Sequence, residues 1–197
     1  MKIITHGMLM LTFILTSFVV RAQDMDLTSG DFSALKDQKA INIEFNYDKM
    51  SVGDFSDDAA YIKNKTDEMN AKEPGTGDKW AKEWVDNRKE KFEPKFIEMF
   101  AKESKLIFGG DSKYTLIFKV TALEPGYNVG VKKRDAAMDA VAYLVETANR
   151  DKILAKVTIT RHGSGNSMFR GAAFDAGTRI TEVYARTGAK LGKFVRK

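Results

Sequence analysis

The chain has 197 residues, with 32 Lys and Arg against 27 Asp and Glu for a formal net charge of +5, and no cysteine. The missing thiol excludes a disulfide framework, a thiolate metal site and a cysteine nucleophile. Histidine occurs only at His6 and His162, which excludes the common zinc sites of three or four nitrogen and sulfur ligands.

Lys2 precedes an apolar run from Met8 to Val20, MLMLTFILTSFVV. Crossing ~30 Å of hydrocarbon takes roughly 20 apolar residues, so the run is too short to stay in a bilayer. It predicts a cleavable secretory signal over 1–22, with Val20 and Ala22 at the cleavage site and Gln23 as the new N-terminus. The expected protein is periplasmic or extracellular. It has no cysteine for a lipid anchor and no stable membrane insertion once the leader is gone. An acidic lead-in over 23–38 and a single domain over 39–197 follow. Charge is uneven: residues 24–75 carry 12 acids and 6 bases, whereas residues 113–197 carry 7 acids and 16 bases. That imbalance fits a basic surface for an anionic partner, or an acidic N-terminal part folded against a basic C-terminal part.

Residues 40–48 alternate, with Ile41, Ile43, Phe45 and Tyr47 on one face and polar side chains on the other, the pattern of a strand in a sheet with one wet side. The polar stretch 49–75 holds a short helix opened by Asp57 and Asp58 and ended by Pro74-Gly75. Such an excursion can carry function. A long helix is predicted over 78–104, capped by Asp78. Trp80, Trp84, Phe92, Phe96 and Phe100 stand in a four-residue row with Arg88, the seam that packs the helix on a sheet. A four-residue row drifts about 40° per step, and a kink at Pro94 is expected to reset it.

Strands follow at 113–122 (Tyr114, Leu116, Phe118 and Val120 inward), near 138–147, and at 152–160 (Ile153, Ala155, Val157 and Ile159 inward). Pro125-Gly126 makes a turn, Lys132-Lys133-Arg134 reads as a basic linker, and Asn149-Arg150-Asp151 as a hairpin turn. The final helix, from about Ser167 to Val195, gathers Phe169, Ala172, Ala173, Ile180, Val183, Tyr184, Leu191 and Val195 within an arc of roughly 140°. The small residues Gly171 to Gly177 predict a close approach in its first half.

The loop from His162 to Ser167 has two glycines but lacks the third glycine of a dinucleotide fingerprint and the Gly-Lys-Ser/Thr of a phosphate loop. Asn166 or Ser167 is read as a helix cap. A Ser-His-acid triad would have to use His162, and sequence neighbours such as Ser164 do not make triad geometry. No cofactor, metal or nucleic acid is expected. Arg179, Arg186, Lys190 and Lys193 line one flank of the final helix and form the candidate contact for an anionic polymer, a lipid headgroup or a partner. Asp175 and Glu182 sit four residues before Arg179 and Arg186, a spacing that blunts the positive field.

The order strand, long helix, three strands, long helix behind an export signal resembles small bacterial envelope domains of the TolB N-terminal and curli-secretion lipoprotein type. The charged Asn149-Arg150-Asp151-Lys152 turn of the 138–160 hairpin and the Gly/Ala-rich final helix from Phe169 carry the resemblance. It implies an assembly or accessory module and not an enzyme. The lipid-anchor cysteine of many such proteins is missing here. The expected fold is α+β in two layers, a four-stranded mixed or antiparallel sheet with two long helices on one face. The expected function is an exported, non-catalytic module that binds another envelope component. The alternatives are an anion-binding protein using the basic flank, and a hydrolase using carboxylates alone, which needs a cleft where acids converge.

Overall fold

The chain's elements run in the order β1 (Asp24–Gly30), β2 (Ala40–Asn46), β3 (Ser51–Val52), α1 (Asp58–Lys72), α2 (Thr76–Asn87), α3 (Glu93–Ser104), β4 (Ile107–Phe108), β5 (Tyr114–Glu124), β6 (Tyr127–Val129), β7 (Lys132–Arg134), β8 (Ala137–Glu146), β9 (Asn149–Gly163) and α4 (Ala176–Val195), with apolar alternation marking the longer strands and helical periodicity the helices. The computed structural model describes residues 24–129, 131–163 and 175–196. The expected signal over 1–22, Ser164 to Ser167 of the glycine loop, and Phe169, Gly171, Ala172 and Ala173 lie outside the described residues. No helix among the described residues is long and apolar enough to cross a membrane.

The class is α+β, but the sheet is larger than expected. It has seven strands in the order β1-β9-β8-β5-β2-β4, with β3 on the far end of β5. β2 and β5 run parallel, with Ile43 beside Leu116 and Phe45 beside Phe118, while β5, β8, β9 and β1 are antiparallel. The added strands explain the shortfall. β3 and β4 are two-residue pairings, too short to show a period. β1 is an edge strand in the segment read as an acidic lead-in. Met25 is buried there, but the flanking acids mask its alternation.

Leu116, Phe118, Ala140, Ala142, Leu144, Ala155, Val157 and Ile159 point from the sheet into one buried cluster with Phe92, Phe96, Phe100, Ile180, Val183, Tyr184 and Leu191 of the helices. Ile153, expected inward, is 51% exposed. A register shift lets Val145 face Ile153 while Leu144 faces Ala155, and the intervening bulge turns Ile153 outward.

The aromatic row splits in two. Phe96 meets Phe118 at 4.5 Å and Phe92 stacks on Tyr184 at 5.4 Å, so these rings pack in the core. Trp80 and Trp84 stack on each other at 5.6 Å and pack with Tyr61 of α1 and Phe55 at the margin of the same core. The reset of the row comes from a π turn, Arg88–Phe92, and not from a kink at Pro94. Glu93 N–H donates to the Arg88 carbonyl five residues back, and this wider turn rotates less per residue and offsets the drift. Pro94 then opens α3, where its missing N–H costs nothing.

Asp57 caps α1 by accepting the Ala60 N–H at 2.8 Å. Asp175 caps α4 by accepting the Gly177 and Thr178 N–H groups at 3.2 and 2.7 Å. α3 and α4 lie side by side and parallel. A Cβ on Gly188 would stand 2.3 Å from the Phe96 carbonyl oxygen, and one on Gly192 would stand 2.5 Å from that of Phe100. Among the described glycines of α4, the close approach falls at Gly188 and Gly192 and not at Gly177.

Candidate functional site

β2 pairs with β4 at its start and with β5 from Asn42 to Asn46. β4 matches Ala40 and Ile41 and then ends. Among the described residues, no strand continues along the outer edge of Asn42 to Asn46. A groove of about 330 Å³ runs beside that edge, lined by Ile43, Glu44 and Phe45 of β2, Lys89 of the π turn, Glu93 and Ile97 of α3, and Phe108 of β4. At the mouth, Phe108 is 46% exposed, and its strand neighbour Ile107 is 69% exposed.

Behind the groove, a fixed polar network is built around Glu93, which lines it. The Tyr47 hydroxyl donates to Glu93 Oε1 at 3.1 Å, and the Tyr184 hydroxyl lies 3.5 Å from that of Tyr47. Lys89 Nζ reaches Glu93 Oε2 at 3.1 Å. The Arg88 guanidinium covers the Tyr47 ring at 4.6 Å and pairs with Asp58, which also accepts the Trp84 indole N–H at 2.9 Å. Burial pushes the Tyr47 and Tyr184 phenols well above their ordinary range, so both stay neutral. Chemically, the groove offers unpaired strand backbone, apolar walls and two anchored carboxylates, Glu93 and the Arg150-paired Glu44.

A second concavity, about 620 Å³, opens where β3, β5 and β8 meet the β6–β7 hairpin. Asp54, Glu124, Asp135 and Asp139 line it together with Arg134. Gly126 sets its corner. Its φ is +66°, and a Cβ there would fall 2.5 Å from the Arg134 carbonyl oxygen, so the turn requires glycine. Glu124 accepts the Gly126 N–H at 2.9 Å and the Arg134 Nη1 at 3.0 Å, and the carboxylate raises the guanidinium's pKa. Asp135 lies 3.0 Å from Lys133. Among the described residues no group of three or more His, Asp or Glu is placed to hold a metal ion.

The hairpin projects from this corner. Its register pairs Tyr127 with Arg134, Asn128 with Lys133 and Val129 with Lys132. None of its described residues is buried, and Val129 and Val131 are 71% and 103% exposed. The stretch read as a basic linker is thus a projecting element. Apolar residues on both sides of a glycine, followed by three cations, are the sequence signal that could have found it.

The four residues of the basic helix flank do not form one exposed stripe. Arg179 is buried and turned inward. Its Nε donates to the Pro125 carbonyl at 3.1 Å and its Nη2 to the Gly126 carbonyl at 2.9 Å, pinning the base of the hairpin. Arg186 and Lys190 are half-buried. Lys193 is exposed and lies 3.8 Å from Glu103 of α3. Of the acidic N-terminal part, Glu44 on the open face of the sheet is gripped by both arms of Arg150 from the basic C-terminal part.

No family model matches the chain, and no curated protein matches it. Among solved structures, the PelC dodecamer from Paraburkholderia phytofirmans aligns with a TM-score of 0.39 and 13% identity, over 86% of this chain and 97% of that one. A variant of the same dodecamer in another crystal form aligns with a TM-score of 0.38 and 12% identity at the same coverage. Likeness at this level assigns neither a family nor a function.

Proposed function

We propose that this chain is an exported, non-catalytic accessory module of the bacterial cell envelope that binds another envelope protein by strand addition at the β2 edge. The observation that carries the reading is the open edge from Asn42 to Asn46 beside its groove. An unpaired edge presents a row of N–H and C=O groups that a partner strand can complete, and flanking pockets then select its side chains. Phe108 supplies apolar contact at the mouth, exposed Ile107 extends the apolar surface along β4, and the anchored Glu93 selects a donor. The sequence resemblance to envelope assembly domains points the same way.

The test is affinity capture of tagged protein from detergent-solubilised envelopes, run beside the double variant Ile107→Glu/Phe108→Glu. The reading expects one recurring envelope protein that the variant loses. Equal recovery by both proteins, or no specific partner, refutes it.

The acids of the second concavity favour one other reading, a carboxylate-dependent hydrolase. Turnover of a glycan panel that disappears in Asp54→Asn and Asp139→Asn would establish it, but Glu124 and Asp135 are already engaged in contacts that hold the fold.

A further inference from the structure

The β6–β7 hairpin adds nothing to the buried core, yet it places two valines in solvent at its end. Val131 is fully exposed and Val129 nearly so, while Tyr127, 40% exposed, stands at the base. Between them lie the cations. Lys132 faces Val129 across the ladder, Lys133 faces Asn128, and Arg134 faces Tyr127.

Charge is graded along this finger. Arg134 at the base is neutralised by Glu124, and Lys133 lies beside Asp135. Lys132, nearest the valines, has no acid beside it in the hairpin register. At about 3.3 Å per residue, the apolar end stands roughly 10 Å beyond the acids of the base. That distance is about one Debye length at physiological salt, so those acids are largely screened from whatever the end touches.

We propose that this hairpin is a bilayer-contact finger: Val129 and Val131 enter the interfacial zone of an anionic leaflet, and Lys132 and Lys133 meet its headgroups. The inference rests on the envelope location proposed above but not on the β2 edge. Two features favour a lipid surface over an acidic protein. The layering of apolar end, cations and then Tyr127 matches the depth profile of an interface, where apolar side chains sink about 5–10 Å and tyrosine sits at headgroup level. A stable protein contact also needs about 800 Å² from each partner, and three residues per strand on a convex finger present far less. A headgroup layer deforms around a convex probe and needs no matching cavity.

The experiment is co-sedimentation of the purified chain with vesicles of phosphatidylcholine alone and of phosphatidylcholine with 40% phosphatidylglycerol. Three proteins are compared: the unaltered chain, Lys132→Gln/Lys133→Gln and Val129→Ser/Val131→Ser. Any leader residues retained at the N-terminus are common to all three and cancel in the comparison. Each lysine near an anionic surface is worth about fivefold in partitioning. With Lys132 at full value and Lys133 partly offset by Asp135, the lysine variant should bind anionic vesicles about 5- to 25-fold more weakly and lose most of the preference for them. The valine variant should weaken binding to both vesicle types several-fold. Both variants should melt with the unaltered chain, because the hairpin lies outside the core. Equal binding by all three proteins overturns the proposal. So does vesicle binding at background level combined with hairpin-dependent capture of an acidic protein, which would make the finger a protein contact. Neither result bears on capture through the β2 edge, which Ile107→Glu/Phe108→Glu tests separately.

Discussion

Gly188→Ala tests the packing of the two long helices. The added Cβ would sit 2.3 Å from the Phe96 carbonyl oxygen and 3.0 Å from its carbon, whereas a comfortable C···O contact is about 3.3 Å. The obstacle is helix backbone and cannot rotate away, so α3 and α4 must separate by roughly 1 Å. A gap of that size forfeits up to half of each contact's dispersion energy, and overpacking of a tight interior costs about 1–3 kcal/mol. Alanine returns about 1 kcal/mol of helix propensity over glycine. With a rigid obstacle the cost lies near the upper end, and the net loss is about 2 kcal/mol. For a chain of this size that lowers Tm by about 4–8 °C. The control is Gly177→Ala in the same helix, where the nearest atom is the Asp175 carboxylate at 3.3 Å. Propensity and crowding should roughly cancel there, leaving Tm within about 2 °C of the parent. Thermal melts followed by circular dichroism read both. A Gly188→Ala protein that melts with the parent, or above it, would refute the backbone-to-backbone contact.

Arg88→Ala leaves the partly buried Asp58 with only the Trp84 indole as partner. It should cost about 3 kcal/mol in urea unfolding and shift tryptophan emission to the red; a loss below about 0.5 kcal/mol would exclude the pairing. Arg179→Met keeps volume but strips donors from the Pro125 and Gly126 carbonyls. A loss of about 2 kcal/mol is expected, with faster amide exchange at the base of the hairpin, and unchanged exchange there would contradict the pinning role. Hydrogen bonds from Lys72 and Lys65 hold Glu68 down to about 2, and those from Arg150 and Lys152 hold Glu44 and Glu146 below the ordinary carboxylate range. The unfolded chain therefore takes up protons first as pH falls. The stability these groups contribute is complete above pH 4.5 and is lost as pH drops toward 2; a Tm that stays flat over that interval would count against these pairs. Burial, aided by Glu124 and Asp58, raises the Tyr61 phenol from 10 to about 12. Stability is therefore complete below pH 10 and is lost as pH rises through 12. Phenolate absorbance from Tyr61 should stay absent from the folded chain near pH 10, and its appearance there would show the ring to be exposed.

Where one side chain pattern dominated a segment, the sequence disclosed the element. Ile41, Ile43 and Phe45 marked β2, Leu116, Phe118 and Val120 marked β5, and the spacing from Ile180 to Val195 marked α4. Tertiary pairing decided the rest. Met25 alone does not announce an edge strand among acids, and the bulge beside Leu154 that exposes Ile153 depends on the partner strand. A helical wheel gives the angle of Arg179 but not its depth, and so could not show that two turn carbonyls wait for it. Gly188 and Gly192 were visible as glycines, yet the run from Gly171 to Gly177 looked the denser stripe. The open β2 edge is a property of where β4 stops, and no local pattern encodes that.

The pairing of β1 with β9 bears on how the chain reaches its fold. The Thr28 hydroxyl donates to the Lys156 carbonyl across a sequence separation of 128. A chain emerging N-terminus first holds β1 without a neighbour until nearly all of it has been delivered. Closing so long a loop costs entropy before any contact repays it, which makes folding slow. Until then the first strand stays available to other pairing partners, a hazard for aggregation and a benefit to any translocation step that needs the chain still unfolded.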